Sequence, residues 1–268
     1  MELRRACRGA GIGVVAISEH AGRARPHRAV PALSARLVFS LGAPIEVDYD
    51  GRTRHATAVV AGLMRPGVAT PVTTLLPRQP TAYVELSPAA LRRLSGMPLS
   101  EVDAGGVHAD AVLPWMGSLC EELTNRPVEQ REAVLRLRLL ERLSRADHRT
   151  AVDDALRTLE LIRAGRGTAS VEDLAHRAHL SPRRLREVMR RSLGITPKFA
   201  SRVARLESAV GRVGTGAASW AQVAAESGYH DQSHLVHDFR DLMNTTPTEW
   251  LAEEGRNLQG RRPTAVRP

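Results

Sequence analysis

The reading of the fold turns on one stretch: Val223-Ala224-Ala225-Glu226-Ser227-Gly228-Tyr229-His230-Asp231-Gln232-Ser233-His234-Leu235-Val236-His237-Asp238-Phe239-Arg240. With Trp220 upstream, Val223 and Ala224 lie on one apolar helical face. Gly228-Tyr229-His230 breaks the period, and Asp231 stands where a side-chain oxygen caps the next helix, whose Leu235, Phe239 and Leu242 again share a face. Ser219 is placed to cap the first helix of the pair. The same order occurs about 50 residues earlier. Ser170 precedes a helix from about Val171 to Arg177 with Glu172 and Asp173 in its first turn, where the helix dipole favours carboxylates. The chain turns through Ala178 to Leu180, and Ser181-Pro182 supplies cap and first-turn proline for a helix that buries Leu185, Val188 and Met189 and ends at Gly194. Between the two copies Pro197 opens a longer helix to about Val213, with Phe199, Val203, Leu206 and Val210 on one side. Two helix-turn-helix units are therefore predicted, joined by a connector of about 16 residues, or roughly 24 Å.

Working outward, Val152, Leu156, Leu159 and Ile162 form a further helical face stopped by Gly165 and Gly167. The polar run from Ser144 to Thr150 marks a boundary, so residues 151–254 read as one domain and residues 1–145 as another. To about Val112 the chain is rich in Gly, Pro, Val and Thr. Its short apolar runs, Ala35 to Leu41, Thr57 to Leu63, Val72 to Leu76 and Ala82 to Leu86, have the length and flanks of strands. After Pro114 the period becomes helical: Trp115, Leu119 and Leu123 step by four, Val134, Leu137, Leu140 and Leu143 by three, and Leu135 and Leu139 widen the stripe. That stripe packs on its own domain or meets a second subunit, and both readings stay open. The fold class is α+β in two domains: a β-rich N-terminal domain with trailing helices and an all-α C-terminal domain. Residues 255–268, with Arg256, Arg261, Arg262 and Arg267 among Gly and Pro, read as a disordered basic tail.

Of 268 residues 43% are hydrophobic and 25% charged, usage that excludes collagen-like, wholly disordered and multi-span membrane chains. The 38 Lys+Arg against 29 Asp+Glu give +9 and invite a polyanionic partner, although all the basic residues except Lys198 are arginine. Cys7 and Cys120 are too few for a disulfide framework or a cysteine-rich zinc site and fit the cytoplasm. Arg4-Arg5 followed by the apolar stretch Ala10 to Ile17 looks like a secretion signal, but it is short and lacks a cleavage site. No run reaches the roughly 20 apolar residues that span a bilayer.

The C-terminal half resembles the DNA-binding domain of AraC/XylS-type transcriptional regulators. The resemblance covers about Ala155 to Glu254. It rests on Leu174-Ala175, Leu180-Ser181-Pro182-Arg183-Arg184-Leu185, Leu193-Gly194-Ile195-Thr196-Pro197, Arg205 with Ala209, and the block from Val223 through Phe239-Arg240 to Thr246-Pro247 and Trp250. It implies a regulator whose two recognition helices enter successive major grooves, about 34 Å apart. The N-terminal half is similar in layout to the β-rich sensing or oligomerisation domains of that family, and Val84 to Leu91 followed by Leu94 to Pro98 resembles a segment of one group of them. The partners to expect are double-stranded DNA and a small-molecule effector, with RNA polymerase and a second copy of the chain as further candidates. No cofactor is expected, and a metal site is disfavoured because His20, His27, His55 and His108 are scattered.

The apolar positions fix which face of each recognition helix is buried. In the first unit that leaves Arg183, Arg184, Arg186, Glu187 and Arg190 toward the groove. An arginine fork pairs with guanine O6 and N7 or neutralises phosphate. Glu187 either accepts from cytosine N4 or pairs with Arg183 or Arg191. By resemblance Arg183, Arg186 and Glu187 match base-reading positions, while Arg184, Arg190 and Arg191 meet phosphate or solvent. In the second unit the candidates are Gln232, Ser233, Val236, His237 and Arg240: amide and hydroxyl for adenine or guanine edges, and a valine for the thymine methyl. The charge is uneven. From Arg183 to Arg205 there are eight basic residues and one acidic, and from Glu207 to Glu254 two basic and eight acidic. The first unit is thus expected to anchor the protein on phosphate and the second to add little affinity, with protonation of His230, His234 and His237 below about pH 6.5 adding charge.

Two other functions compete. A non-specific architectural DNA-binding protein would show steep salt dependence and shallow sequence preference. An enzyme in the first half would need converging acid and base, for which only His108 with Asp110, or Asp48 with Asp50, are near neighbours. Gly9, Gly11 and Gly13 do not complete a phosphate loop, because Ala16 stands where its last glycine would be.

Overall fold

The computed structural model describes residues 2–19, 23–49, 51–68, 70–146, 154–213 and 219–254. The N-terminal half runs α1 (Glu2–Gly9), β1 (Ile12–Glu19), β2 (Arg25–Arg28), β3 (Ala35–Ser40), β4 (Ile45–Tyr49), β5 (Arg52–Ala56), β6 (Ala58–Ala61), β7 (Val72–Leu75) and β8 (Pro80–Leu86). It continues with α2 (Pro88–Ser95), a 3-10 turn at Leu99–Glu101, β9 (Val107–His108), α3 (Ala109–Val112), α4 (Met116–Thr124) and α5 (Val128–Arg145). The C-terminal half is α6 (Asp154–Ala164), α7 (Val171–Arg177), α8 (Pro182–Leu193), α9 (Pro197–Val213), α10 (Trp220–Glu226), α11 (Gln232–Met243) and α12 (Pro247–Glu254). The described residues form two compact units. The first takes in residues up to 25, 34–63 and 73–152, and the second 26–33, 64–72 and 153 onward.

In the first unit a five-stranded sheet is ordered β1-β8-β3-β6-β9, antiparallel at each resolved pairing. Alternation along β3 and β8 puts Ala35, Leu37 and Phe39 opposite Leu86, Val84 and Ala82, all fully buried. On the other side of β3, Val60 of β6 pairs with Leu37, so Val84, Leu37 and Val60 make one continuous apolar row across three strands. Such cross-strand pairs are the unit of sheet stabilisation. β7, β4 and β5 neighbour one another in a second sheet. Its β4-β5 hairpin pairs Ile45 with Ala56 through to Tyr49 with Arg52.

The four predicted strand runs each hold a strand, β3, β6, β7 and β8, whereas β1, β2, β4, β5 and β9 lie outside them. The helix α5 buries Leu135, Leu139 and Leu143 against its own unit. Leu137, expected in the stripe, is instead 47% exposed, because a step of four from Leu135 carries the buried line past it. Arg136 is buried in the same interface, donating to the Val15 carbonyl at 2.7 Å and pairing with Glu132 at 2.9 Å. Most of the apolar stretch after Arg8 forms a sheet strand: α1 ends at Gly9 and β1 runs Ile12–Glu19. The predicted boundary from 147 on and the basic tail from 255 lie outside the described residues.

In the second unit, segments 26–33 and 64–72 are joined by the Ala29 N–H donating to the Pro71 carbonyl. Residues 27 and 28 hold the end of α12. Glu254, 3% exposed, accepts the Arg28 backbone N–H at 2.6 Å and bonds His27 Nδ1 at 2.8 Å, while the Arg28 guanidinium donates to the Met243 carbonyl.

Candidate nucleic-acid interface

The two halves of the helical unit are built on one plan. Ser170 and Ser181 cap α7 and α8, their hydroxyls accepting the backbone N–H of Asp173 and Arg184. Ser219 and Asp231 do the same for α10 and α11 through Gln222 and His234. Each turn closes with a bond from a residue five positions on: Leu180 N–H to Ala175 O at 2.9 Å, Tyr229 N–H to Ala224 O at 3.0 Å. This closure requires a left-handed residue just after the first helix. The first unit uses His179 (φ 54°) and the second Gly228 (φ 77°). Beneath them the cores differ. α8 buries Leu185, Met189 and Leu193, whereas α11 places Phe239 between Trp220 and Trp250, with ring centroids 5.8 and 6.1 Å apart.

Both recognition helices therefore present the faces that the apolar pattern left over. On α8, Arg183, Arg184, Arg186, Glu187 and Arg190 are all exposed. Arg184 and Glu187 form an ion pair at 2.9 Å, so the glutamate's partner is neither Arg183 nor Arg191. One turn of helix separates the two, and both remain open to water, which makes the pair weak. The side chains of Arg183, Arg186, Arg190 and Arg191 make no ion pair or hydrogen bond among the described residues. On α11, Gln232, Ser233, Val236, His237 and Arg240 together line one solvent-open concavity of about 530 Å³.

The charges sort differently from their order in sequence. Arg202, counted in the basic block, turns inward from α9 and bonds Asp238 at 2.7 Å and Asp241 at 2.8 Å on α11. Arg205 donates to the Gly167 carbonyl and lies over the Tyr229 ring. The acidic block is equally committed. Asp238 is fully buried, Glu226 pairs with Arg212 at 2.6 Å, and Glu249 accepts the Thr246 N–H while Thr246 Oγ1 accepts the Glu249 N–H, a capping box on α12. These contacts hold carboxyls below their ordinary range: Asp231 mainly through the His234 N–H, Asp241 mainly through Arg202, Glu249 mainly through the Thr246 N–H. Tyr229 shifts the other way, pushed up first by burial and then by the Asp238 carboxylate. His237 stands 3.5 Å from Asp241, and His230 3.2 Å from Asp231. Sequence reasoning missed Arg202 and Asp238 because partners 36 residues apart on different helices leave no local signal.

The other candidates do not converge. Asp110 accepts the Gly117 N–H at 3.1 Å next to α4, His108 is exposed at the edge strand β9, and Asp48 is exposed on β4, with Asp50 outside the described residues. His27 is held by Glu254, His55 is exposed on β5, and His20 lies outside the described residues. Among the described residues no group of three His, Cys, Asp or Glu could hold a metal, and no helix is long and apolar enough to cross a membrane.

Comparison with known proteins follows this division. Residues 174–253, from the middle of α7 through nearly all of α12, match a family model described as a helix-turn-helix domain, of AraC type. No curated protein matches the chain. Among solved structures, an apo point variant of ToxT from Vibrio cholerae is similar over 91% of this chain and 97% of its own, with a TM-score of 0.55 at 12% identity. Another ToxT structure from Vibrio cholerae gives 0.52 at 12% identity over 93% and 99%. A third, of wild-type ToxT bound to an unsaturated fatty acid, gives 0.51 at 12% identity over 90% and 94%. At this identity the likeness establishes the arrangement of a β-rich N-terminal and a helical C-terminal region. The helical region carries an AraC-type helix-turn-helix domain, and the chain is a DNA-binding transcriptional regulator.

Proposed function

We propose that this regulator recognises a specific DNA sequence by placing α8 and α11 in successive major grooves, and that a small molecule bound by its N-terminal half modulates the binding. The observation that carries the reading is the stripe of exposed arginines, Arg183, Arg186 and Arg190, on a helix whose cap and buried face fix its orientation, followed by a second helix of the same build. The 17 residues of α9 give a rise of about 25 Å, which with the width of the helices at its ends suits grooves about 34 Å apart. The first unit supplies the phosphate anchor, since Arg183, Arg186, Arg190, Arg191 and Lys198 are exposed and none has a carboxylate partner among the described residues. The second unit contributes chiefly base contacts.

For the effector, the bound ToxT structures suggest a compound class to try first: one holds an unsaturated fatty acid and another (E)-4-(8-methylnaphthalen-1-yl)but-3-enoic acid, both apolar carboxylic acids. The test is selection from random DNA with the full-length chain at two salt concentrations, with and without such an acid. Two enriched patches about one helical turn apart are expected. Bound DNA with no enriched motif under any condition would remove the sequence-specific reading and leave an architectural binder.

A further inference from the structure

Resting on that sequence-specific reading, the side chains left free on the two recognition helices point to the chemistry of the site they bind. We infer that the operator is chemically polar: the box under α8 is defined by guanines, and the box under α11 by A·T pairs.

On α8 the groups free to reach a base edge are guanidinium forks. Arg183 and Arg186 lie in the first turn and a half, one helical turn apart, and neither has a partner among the described residues. The rise between them, three residues, is about 4.5 Å, which spans one to two base-pair steps of about 3.4 Å. A free fork at the edge of a base pair selects guanine, whose O6 and N7 are both acceptors. It does not select adenine, whose N6 is a donor. The one carboxylate on this face, Glu187, pairs weakly with Arg184 at 2.9 Å, and where it reaches a base it accepts from cytosine N4, again a G·C pair. The remaining arginines, Arg190 and Arg191, sit in the last turn, where they serve phosphate.

The corresponding positions of α11 hold no fork. Gln232 and Ser233 occupy its first turn and Val236 the next, all three on the concave face. A glutamine amide sets an N–H donor beside a carbonyl acceptor, the complement of adenine N7 and N6, and a half-buried valine methyl offers contact to the thymine C5-methyl. Among the residues lining that face the one guanidinium, Arg240, stands two turns further along the helix. The cation that could have strengthened this unit, Arg202, is engaged by Asp238 and Asp241. The two boxes therefore differ in base class, which gives the protein one direction of binding.

The experiment is sequencing of DNA selected from a random pool by the full-length chain, repeated with Arg183→Ala, Arg183→Lys, Arg186→Ala and Gln232→Ala. All four change solvent-accessible positions on capped helices. The wild type is expected to enrich one box with guanine at two positions at most two steps apart and a second box of A·T pairs. Arg183→Ala and Arg186→Ala each lower discrimination at one guanine by about tenfold or more and leave the second box unchanged. Arg183→Lys keeps the charge and part of the preference, because an ammonium still donates to O6 or N7 but lacks the planar fork that takes both at fixed geometry. Gln232→Ala relaxes one A·T position only. Guanine preference retained in full by Arg183→Ala and Arg186→Ala, two boxes of the same base class, or Gln232→Ala relaxing the guanine box would each overturn the assignment. A selection that enriches no motif would instead overturn the sequence-specific reading on which it rests.

Discussion

The unit built on α7 and α8 and the unit built on α10 and α11 close their turns with the same backbone bond, yet they hold and use charge in opposite ways. The first has serine caps, an aliphatic core and arginines left facing solvent. The second has an aspartate cap on its recognition helix, an aromatic core and a buried ion pair to the connector helix α9. The difference teaches that net charge by segment is a poor guide to what a DNA surface presents. Most of the carboxylates that make the second unit acidic are caps or partners of arginine, so they stabilise the fold instead of repelling phosphate.

The largest effect expected from this contrast is at Asp238. Removing one partner of a buried pair strands the other, at about 3–5 kcal/mol when both are fully buried. Arg202 is a quarter exposed and retains Asp241, so Asp238→Ala should cost about 2–3 kcal/mol. Urea unfolding followed by tryptophan fluorescence would measure it. The double variant Asp238→Ala with Arg202→Met should recover part of the loss, since no charge is left stranded. An unchanged midpoint in Asp238→Ala would detach the second recognition helix from the connector in this account.

Next come the two turns. Gly228→Ala should destabilise by about 1–2 kcal/mol, because a Cβ in the left-handed region is strained and would also meet Thr168 Cγ2 at 3.1 Å. His179→Gly should act in the other direction and stabilise by about 0.5–1 kcal/mol, relief of the same strain offset by the freedom glycine gains in the unfolded chain. Thermal melts of both variants compare the turns directly, and shifts of the same sign would show that the closures are not equivalent.

A smaller effect separates the units by pH. Asp231, Asp241 and Glu249 have folded-state pKa values below their unfolded ones. Their contribution is therefore fully present above the unfolded carboxylate range, about 3.9 to 4.3, and is lost as pH falls through the depressed values. Ser181, the corresponding cap on α8, does not titrate in that range. Hydrogen exchange between pH 5 and 3, corrected for its intrinsic pH dependence, should show α11 and α12 losing protection ahead of α8. The reverse order would contradict the assignment of the caps.

The helical half was readable because its information is local. Ser181-Pro182 and Asp231 announce helix starts, Gly194 an end, and the steps among Leu235, Phe239 and Leu242 a buried face, each within one or two turns of the residue it constrains. The sheet was readable only in part. Runs such as Ala82 to Leu86 carry their own signal, but nothing near Ile12 indicates that its partner is Leu86. The two-residue strand β9 is too short to show any period. In the site, the exposed positions followed from the apolar pattern, whereas the fate of each charge did not. Arg183 and Arg202 look alike in sequence, and only the packing of α9 against α11 turns one toward Asp238 and leaves the other free.

The most direct test of the division of labour is the salt dependence of affinity for the selected site, measured with the full-length chain. Neutralising one phosphate fewer lowers the slope of log K against log salt by about 0.9. The account predicts that Arg190→Ala and Arg191→Ala each reduce the slope by about that amount, while Gln232→Ala and Ser233→Ala weaken binding with the slope unchanged. Equal reductions in slope from substitutions on both helices would contradict it.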